Sequence, residues 1–284
     1  LIVKYEFWYN YLSELKRRNI PTYLVSGVFR PGQYFFRWYG RFARRVFPVF
    51  SRIFVQDEQS CRLLAGIGYD RCSVTGDTRF DRVSRIAEAS RDLPAIDRFR
   101  GNEKLFVAGS SWEEDEDIII RYINGNPGAM KWIIAPHEID EAHLRRIEKK
   151  IVPGTVRYSG YRDESEEARV IIIDNIGMLS SVYRYASIAA VGGGFGRGIH
   201  NILEPACWGI PVLFGPNHTK FREAHHLIER GGAVAFEDFD TFSAVVEKYL
   251  TDPAALKAAG EASYAYISEN KGATDRVYAE IFEK

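Results

Sequence analysis

The feature that most constrains this chain is a repeated alternation. Short apolar runs are each followed by a polar or glycine-rich turn and then by an amphipathic stretch. A short apolar run bounded by turn residues reads as a strand buried on both faces, and the amphipathic stretch as the helix that covers it. Repeated in series, the pattern calls for parallel sheets with helices on both faces, an α/β architecture.

In the first part, Leu1–Tyr5, Thr22–Ser26, Arg52–Gln56 and Cys72–Thr75 read as strands. Helices are expected over Trp8–Arg18, from about Gln33 to Val46, and after Asp57, whose carboxylate can cap a helix ending at Gly66–Gly68. The rhythm breaks from Phe80 to Gly101, a charged stretch containing Pro94 that reads as a helix plus linker. A second series then begins, with strands over Leu105–Gly109, Lys131–Ala135, Val170–Asp174, Ile188–Gly192, Pro211–Phe214 and Ala233–Phe236. The C-terminal stretch from Thr241 is helical, with starts at Asp252-Pro253 and Gly272-Ala273-Thr274. The expected organisation is a first α/β domain over 1–85, a linker over 86–103, a second α/β domain over 104–270, and a C-terminal helix over 271–284 that returns to the first domain. A chain of 284 residues is long enough for two such cores.

Composition excludes several classes. No run of 18 or more apolar residues exists to make a transmembrane helix, and the N-terminus has no signal-peptide layout. The chain opens on Leu-Ile-Val-Lys-Tyr, a strand already under way with no initiator Met, so upstream sequence is expected. Cys61, Cys72 and Cys207 are not spaced as a metal knuckle and read as three reduced thiols of a cytoplasmic protein. Formal charge sums to zero but is uneven. Residues 1–85 hold 15 Lys/Arg against 7 Asp/Glu, a net +8, and residues 86–284 hold 23 against 31, a net −8. That asymmetry points to an anionic partner for the first part.

In open parallel sheets, ligands bind beyond the carboxyl ends of the strands. The candidate residues follow strands. Gly192-Gly193-Gly194-Phe195-Gly196-Arg197-Gly198 lets backbone approach a ligand closely, Gly193 and Gly194 above all. Asn201 is placed to cap the next helix, whose first N–H groups can hold a phosphate. Glu204, in its first turn, can accept from ribose hydroxyls. Ser110 and Ser111 offer hydroxyls after the first strand of the second domain; simple helix capping is the other reading of each, and their place at a strand end favours a ligand. His137, in Ala135-Pro136-His137-Glu138, can donate to a phosphate or a carboxylate. In the loop after Val170–Asp174, the backbone of Ile176 and Gly177 can read a base edge while Met178 or Leu179 packs on the base. In Gly215–Glu223, Asn217 and Lys220 can face an anionic donor sugar. His225-His226 has no accompanying ligand set, so no metal site is expected.

Two further features lie in the first part. Phe29 to Phe54 carries Arg37, Arg41, Arg44 and Arg45 among aromatics, with no acid before Asp57. On a helix Phe35, Phe42 and Val46 share one face and the arginines another, which fits contact with an anionic membrane surface or simply a basic helix with an aromatic core face. No nucleic-acid motif is present. Glu6, in Tyr5-Glu6-Phe7-Trp8-Tyr9-Asn10, ends the first strand and can bind an acceptor or move a proton.

Together these residues resemble the 3-deoxy-D-manno-octulosonic acid (Kdo) transferases. Glu6-Phe7-Trp8-Tyr9-Asn10 looks like that family's Glu-x-Trp-Pro-Asn, with Tyr9 replacing Pro. Gly109-Ser110-Ser111 is similar to its Gly-Ser-Thr/Ser loop, and Pro136-His137 to its Pro-x-His loop. Gly198-Ile199-His200-Asn201-Ile202-Leu203-Glu204-Pro205-Ala206 is similar to its Gly-Gly-His-Asn-x-x-Glu-Pro-Ala run, with Ile199 replacing the second Gly. Gly215-Pro216 and Phe221 match the loop after the next strand. The resemblance implies a GT-B fold of two Rossmann-like domains facing a cleft. It implies inverting transfer of Kdo from CMP-Kdo to a lipid A precursor, peripherally on the cytoplasmic face of the bacterial inner membrane and without a cofactor. It also implies that the family's general base lies upstream of Leu1, with Glu6 a weak substitute. Two other readings stay open: another GT-B enzyme acting on a UDP-sugar, whether transferase or epimerase, and a non-catalytic nucleotide- or lipid-binding fragment.

Overall fold

The computed structural model describes residues 1–162 and 167–283. The chain divides into two units, Leu1–Arg82 with Asn270–Lys284, and Val83–Glu269.

In the first unit, strands β1 (Ile2–Val3), β2 (Thr22–Gly27), β3 (Phe50–Val55) and β4 (Cys72–Val74) form one parallel sheet in the order β1-β2-β3-β4. Helices α1 (Tyr9–Arg17) and α2 (Glu58–Ala65) connect them, and α3 (Thr78–Glu88) follows β4. Asp57 caps α2 as its sequence position implies, accepting from Ser60 N at 2.8 Å. One face of the sheet packs on Leu12, Phe29, Phe35, Phe47, Phe50 and Leu64.

The stretch from Gln33 to Val46 departs from the expected α-helix. It folds as three short 3₁₀ segments, Tyr34–Phe36, Trp38–Arg41 and Ala43–Val49. Gly40 is pressed against the backbone of the first segment, where a Cβ would meet Tyr34 O at 2.0 Å. Arg44 donates to the carbonyls of Phe35 (2.7 Å) and Arg37 (3.0 Å), so its guanidinium braces the turn. Phe35 and Val46 go to the core while Phe42 stays exposed, so the shared apolar face predicted at helical spacing does not form. The expectation of three reduced thiols is also overturned. Cys61 in α2 and Cys72 in β4 form a disulfide, with Cα atoms 5.7 Å apart, while Cys207 stays a buried thiol that donates to Ser84 Oγ at 3.9 Å.

In the second unit, α4 (Pro94–Arg100) precedes β5 (Leu105–Ser111), and α5 (Glu113–Gly125) leads to β6 (Lys131–Pro136). After α6 (Glu141–Lys150) come β7 (Thr155–Arg157), β8 (Val170–Ile172), α7 (Leu179–Val182) and β9 (Ile188–Val191). The series closes with α8 (Leu203–Cys207), β10 (Val212–Phe214), α9 (Arg222–Glu229), β11 (Ala233–Ala235), α10 (Phe239–Thr251) and α11 (Pro253–Glu269). The sheet is parallel throughout, in the order β11-β10-β9-β5-β6-β8-β7. Alternate strand residues feed two cores. Phe106, Ala108, Trp132, Ile134, Val170 and Ile172 pack on one face, and Leu105, Val107, Ile133, Ala135 and Ile171 on the other. Strand β7 was not read from the sequence. It is a three-residue edge strand with no fully buried side chain.

Helix α12 (Ala273–Phe282) packs within the first unit. Asp81 accepts from Gly272 N at 2.6 Å and Thr274 N at 2.8 Å, which satisfies donors at the helix start. Val277 packs beside Val25 and Phe54, and Glu280 accepts from Ser73 Oγ at 2.8 Å while pairing with Arg52. Both units are therefore parallel α/β sheets, the fold class expected from the alternation.

Candidate functional site

The second sheet changes direction at β5. The chain builds outward from it to β6 and beyond, then returns to place β9 on its other side. That switch point, at the carboxyl ends of the strands, is where an open α/β sheet leaves a crevice for a ligand. The ends of β5 and β9 are locked together by Gly192 N–H, which donates to Gly109 O at 3.0 Å. Two glycines make this possible. A Cβ on Gly192 would lie 2.3 Å from Ser110 O, and one on Gly109 would run into the buried hydroxyl of Tyr183 at 1.9 Å. Gly193 takes φ +90, and a Cβ on Gly194 would lie 2.5 Å from Gly215 N, so the loops after β9 and β10 also touch backbone to backbone.

Ser110 sits at φ +51, a left-handed conformation for a residue with a side chain, and is half-buried at the mouth of this crevice. Ser111, its neighbour in the same strand-end motif, turns inward. Its hydroxyl is buried and donates to Glu116 Oε1 at 3.0 Å. The ligand-facing role proposed for Ser111 therefore does not fit its side chain. The cause is that β5 runs on to Ser111 and α5 starts directly after Trp112.

Asp115, in the first turn of α5, stitches the crevice together. Its Oδ2 accepts from Gly193 N at 2.9 Å and from Trp112 N at 3.0 Å. Burial pushes its carboxyl up to about 6, against the lowering effect of those two N–H donors. Glu116, the next residue, is fully buried and accepts from His143 Nε2 at 2.8 Å and from Arg146.

Three rings stack over the crevice. His137 lies against His200 with centroids 4.3 Å apart and against Trp112 at 4.8 Å. Trp112 Nε1 donates to His200 Nε2 at 2.9 Å, so Nε2 is the acceptor and the His200 proton sits on Nδ1. Burial, and then the neighbouring His137, lower the His200 pKa, which favours that neutral form. His137 is marked in the sequence by its place after a strand, whereas Trp112 and His200 carry no such mark. They stand 88 positions apart, and only the β5–β9 pairing joins them.

The helix after β9 starts one residue later than Asn201 as its cap implies. Helix α8 begins at Leu203 with Ile202 as its flanking residue, and Asn201 Oδ1 accepts from Leu203 N at 3.3 Å. Asn201 Nδ2 donates to Glu204 Oε1 at 2.9 Å, and Ser180 Oγ donates to Glu204 Oε2 at 2.8 Å. Asn201 thus braces Glu204 and also accepts from the first N–H of the helix, from one position before the N-cap residue. After β8, Ile176 is 89% exposed, Gly177 takes φ +93, and Met178 is half-buried against the core. Asn217 Nδ2 donates to Gly196 O at 2.9 Å, which ties the loop after β10 to the glycine loop. Lys220 is exposed in that same loop. His225 and His226 diverge. His225 Nε2 meets Thr219 O at 3.1 Å, and His226 Nδ1 meets the Tyr266 hydroxyl at 3.3 Å. Among the described residues no cluster of three or more His, Cys, Asp or Glu is placed to hold a metal ion.

In the first unit, Glu6 is exposed and accepts from the indole N–H of Trp8. Arg37, Arg41 and Arg45 are exposed beside Trp38, Tyr39 and Phe42, with Trp38 at 90% exposure. Arg45 lies over the Phe42 ring at 5.1 Å from its centroid. Among the described residues no helix is long and apolar enough to cross a membrane.

Comparison with known proteins places these elements in a family context. Residues 1–82 match the family described as 3-deoxy-D-manno-octulosonic-acid transferase (kdotransferase). The chain is 26% identical to the 3-deoxy-D-manno-octulosonic acid transferase of Bordetella pertussis over 97% of its own length and 67% of that relative's. It is 27% identical to the Aquifex aeolicus protein of the same name over 82% of this chain and 60% of the relative. The chain thus spans roughly two thirds or less of those relatives. Among solved structures, the C-terminal CMP-Kdo binding domain of WaaA from Acinetobacter baumannii matches 67% of this chain and 97% of that domain, at 18% identity and a TM-score of 0.53. A putative UDP-N-acetylglucosamine 2-epimerase from Listeria monocytogenes matches 96% of this chain and 71% of its own, at 14% identity and a TM-score of 0.62. The two units have the Rossmann-like fold shared by GT-B glycosyltransferases and such epimerases.

Proposed function

We propose that this relative of the Kdo transferases acts in a glycosyltransferase that moves Kdo from CMP-Kdo to a lipid A precursor. One observation carries the reading. The β5–β9 switch point of the second unit gathers Ser110, His137, the Gly193–Gly194 turn, Asn201 and Glu204 at one end of the sheet. These are the positions whose motifs resemble the family's.

In this reading the CMP phosphate lies over the Gly193–Gly194 turn, with Ser110 and His137 as side-chain donors. The diol of the ribose binds the Glu204 carboxylate, and the cytosine edge meets the backbone at Ile176–Met178. Asn217, tied to Gly196, shapes the loop around the Kdo moiety, and Lys220 in the same loop carries a charge matched to the Kdo carboxylate. The reaction is an inverting displacement at the anomeric carbon. The acceptor hydroxyl forms the new C–O bond, its proton passes to a general base, and the bond to the CMP phosphate oxygen breaks. Negative charge grows on the departing phosphate, and donors fixed beforehand around it stabilise that charge without reorganising. No general base is assigned among the described residues.

The test of the site is Glu204→Ala. We expect it to weaken CMP binding by about 1–3 kcal/mol, the worth of hydrogen bonds from ribose to a charged acceptor, with the unfolding midpoint little changed. Unchanged CMP affinity in a calorimetric titration would take Glu204 out of the site.

The first unit supplies the surface proposed to meet an anionic membrane. The net charge of +8 over residues 1–85, all but three of which belong to this unit, and the exposed Arg37, Arg41 and Arg45 among Trp38, Tyr39 and Phe42 support that role. Arg44, bound to carbonyls, is a structural brace and is left out of it. Replacing Arg37, Arg41 and Arg45 together by Ala is expected to weaken binding to phosphatidylglycerol-containing vesicles by about 1 kcal/mol per residue and leave CMP affinity alone. Undiminished vesicle sedimentation would reduce the segment to an ordinary basic surface.

A further inference from the structure

We infer that Ser180 is a positioning residue for the nucleotide ribose, acting through Glu204. The inference rests on the reading of Glu204 as the ribose-binding carboxylate.

An ionised carboxylate has about four acceptor positions on its two oxygens. Asn201 occupies one on Oε1 (2.9 Å) and Ser180 one on Oε2 (2.8 Å). One acceptor position is left on each oxygen, a match for two vicinal hydroxyls. The terminal torsion of a glutamate is broad and roughly two-fold, so an unsupported carboxylate turns freely about it. Donors on both oxygens fix its plane, and Ser180 supplies the one on Oε2.

Ser180 is itself held. It lies in α7, and its carbonyl accepts from Trp208 Nε1 at 3.1 Å, directly after α8 ends. Two hydrogen bonds therefore clamp α7 to α8. The loop that leads into α7, Ile176–Met178, is the one proposed to read the base, and α8 carries Glu204. Ser180 joins the base-reading loop to the ribose-reading helix. Affinity for the ribose then depends on a side chain that does not itself touch the nucleotide.

The experiment is a calorimetric titration of CMP and 2′-deoxy-CMP against the unaltered chain, Ser180→Ala, Ser180→Thr, Trp208→Phe and Glu204→Ala. The unaltered chain is expected to prefer CMP by about tenfold, the contribution of one hydrogen bond to a charged acceptor. Ser180→Ala is expected to lose about 3–10-fold in CMP affinity and little in 2′-deoxy-CMP affinity, so that the preference narrows. Ser180→Thr, which keeps the hydroxyl, restores the preference, and Trp208→Phe narrows it to a smaller degree. A merely structural role would weaken both nucleotides alike and leave their ratio unchanged. If Ser180→Ala keeps the ratio while Glu204→Ala abolishes it, the positioning role is overturned and the ribose reading stands. If Glu204→Ala also keeps the ratio, the ribose reading fails and takes the positioning role with it.

Discussion

Replacing Glu116 by alanine is expected to cost the second unit about 3–5 kcal/mol, the largest loss from any single side-chain truncation considered for this chain. The Glu116 side chain is fully buried. It takes Ser111 Oγ at 3.0 Å and His143 Nε2 at 2.8 Å, and it pairs with Arg146. Arg146 also reaches Asp117 at 3.0 Å, but its side chain is only 20% exposed and the Glu116 carboxylate is its most buried partner. Truncation leaves a guanidinium, an imidazole and a hydroxyl facing an apolar gap. The loss is mostly the cost of the groups left behind rather than the worth of the pair. A domain has about 5–15 kcal/mol in total, so the variant is expected to be marginal at 37 °C. Glu116→Gln keeps the volume and one acceptor and is expected to lose distinctly less. Urea unfolding at pH 7 checks both. A Glu116→Ala loss under about 1 kcal/mol, the level of an exposed pair, would mean that the network is not formed in solution.

The second large effect is expected from one added methyl group, in Gly192→Ala. Three fixed neighbours surround the place where its Cβ would go: Ser110 O at 2.3 Å, Ser111 Cα at 2.6 Å and Asp115 Oδ2 at 2.7 Å. Two of these are backbone atoms of β5, and the third belongs to a carboxylate held by two N–H groups. No flexible side chain can give way. The ends of β5 and β9 must separate, which strains the packing by about 1–3 kcal/mol or more and spreads the turn proposed to hold phosphate. Thermal unfolding is expected to fall by about 2–4 °C for each kcal/mol, together with at least a tenfold loss of CMP affinity. Gly196→Ala is the control in the same loop. Its Cβ would meet nothing nearer than Gly193 O at 3.7 Å, and it should be close to silent in both measurements. Equal behaviour of the two variants would show that the close approach at Gly192 does not govern the site.

Much of this architecture is legible in the sequence, for a definite physical reason. Strands buried on both faces must be apolar along their whole length, so β5, β6, β8 and β9 stand out from their turns. Local signals were also readable. Asp57 caps α2 through its own side chain, and the glycines at 192–194 mark a place where backbones touch.

What escaped the sequence depends on contacts between distant positions or on backbone states without a period. Trp112 and His200 form one hydrogen bond across 88 positions. Ser111 looked equivalent to Ser110 until the positive φ of Ser110 and the inward strand end of Ser111 separated them. The segment from Gln33 to Val46 has helical spacing of its arginines, yet Gly40 and the Arg44-to-carbonyl bonds hold it as 3₁₀ turns. Cys61 and Cys72 were read through the redox compartment, whereas the β3–β4 crossover brings their Cα atoms to 5.7 Å. Ser180 carried no signal at all, because its significance comes entirely from the Glu204 carboxylate beside it.

The central claim is that the second unit holds a cytidine nucleotide. The most direct measurement is calorimetric titration of this chain with CMP, UDP and GDP in parallel. The account predicts saturable binding of CMP with UDP and GDP at least tenfold weaker. A preference for UDP or GDP, or no heat from any of the three with a chain shown by circular dichroism to be folded, would contradict it.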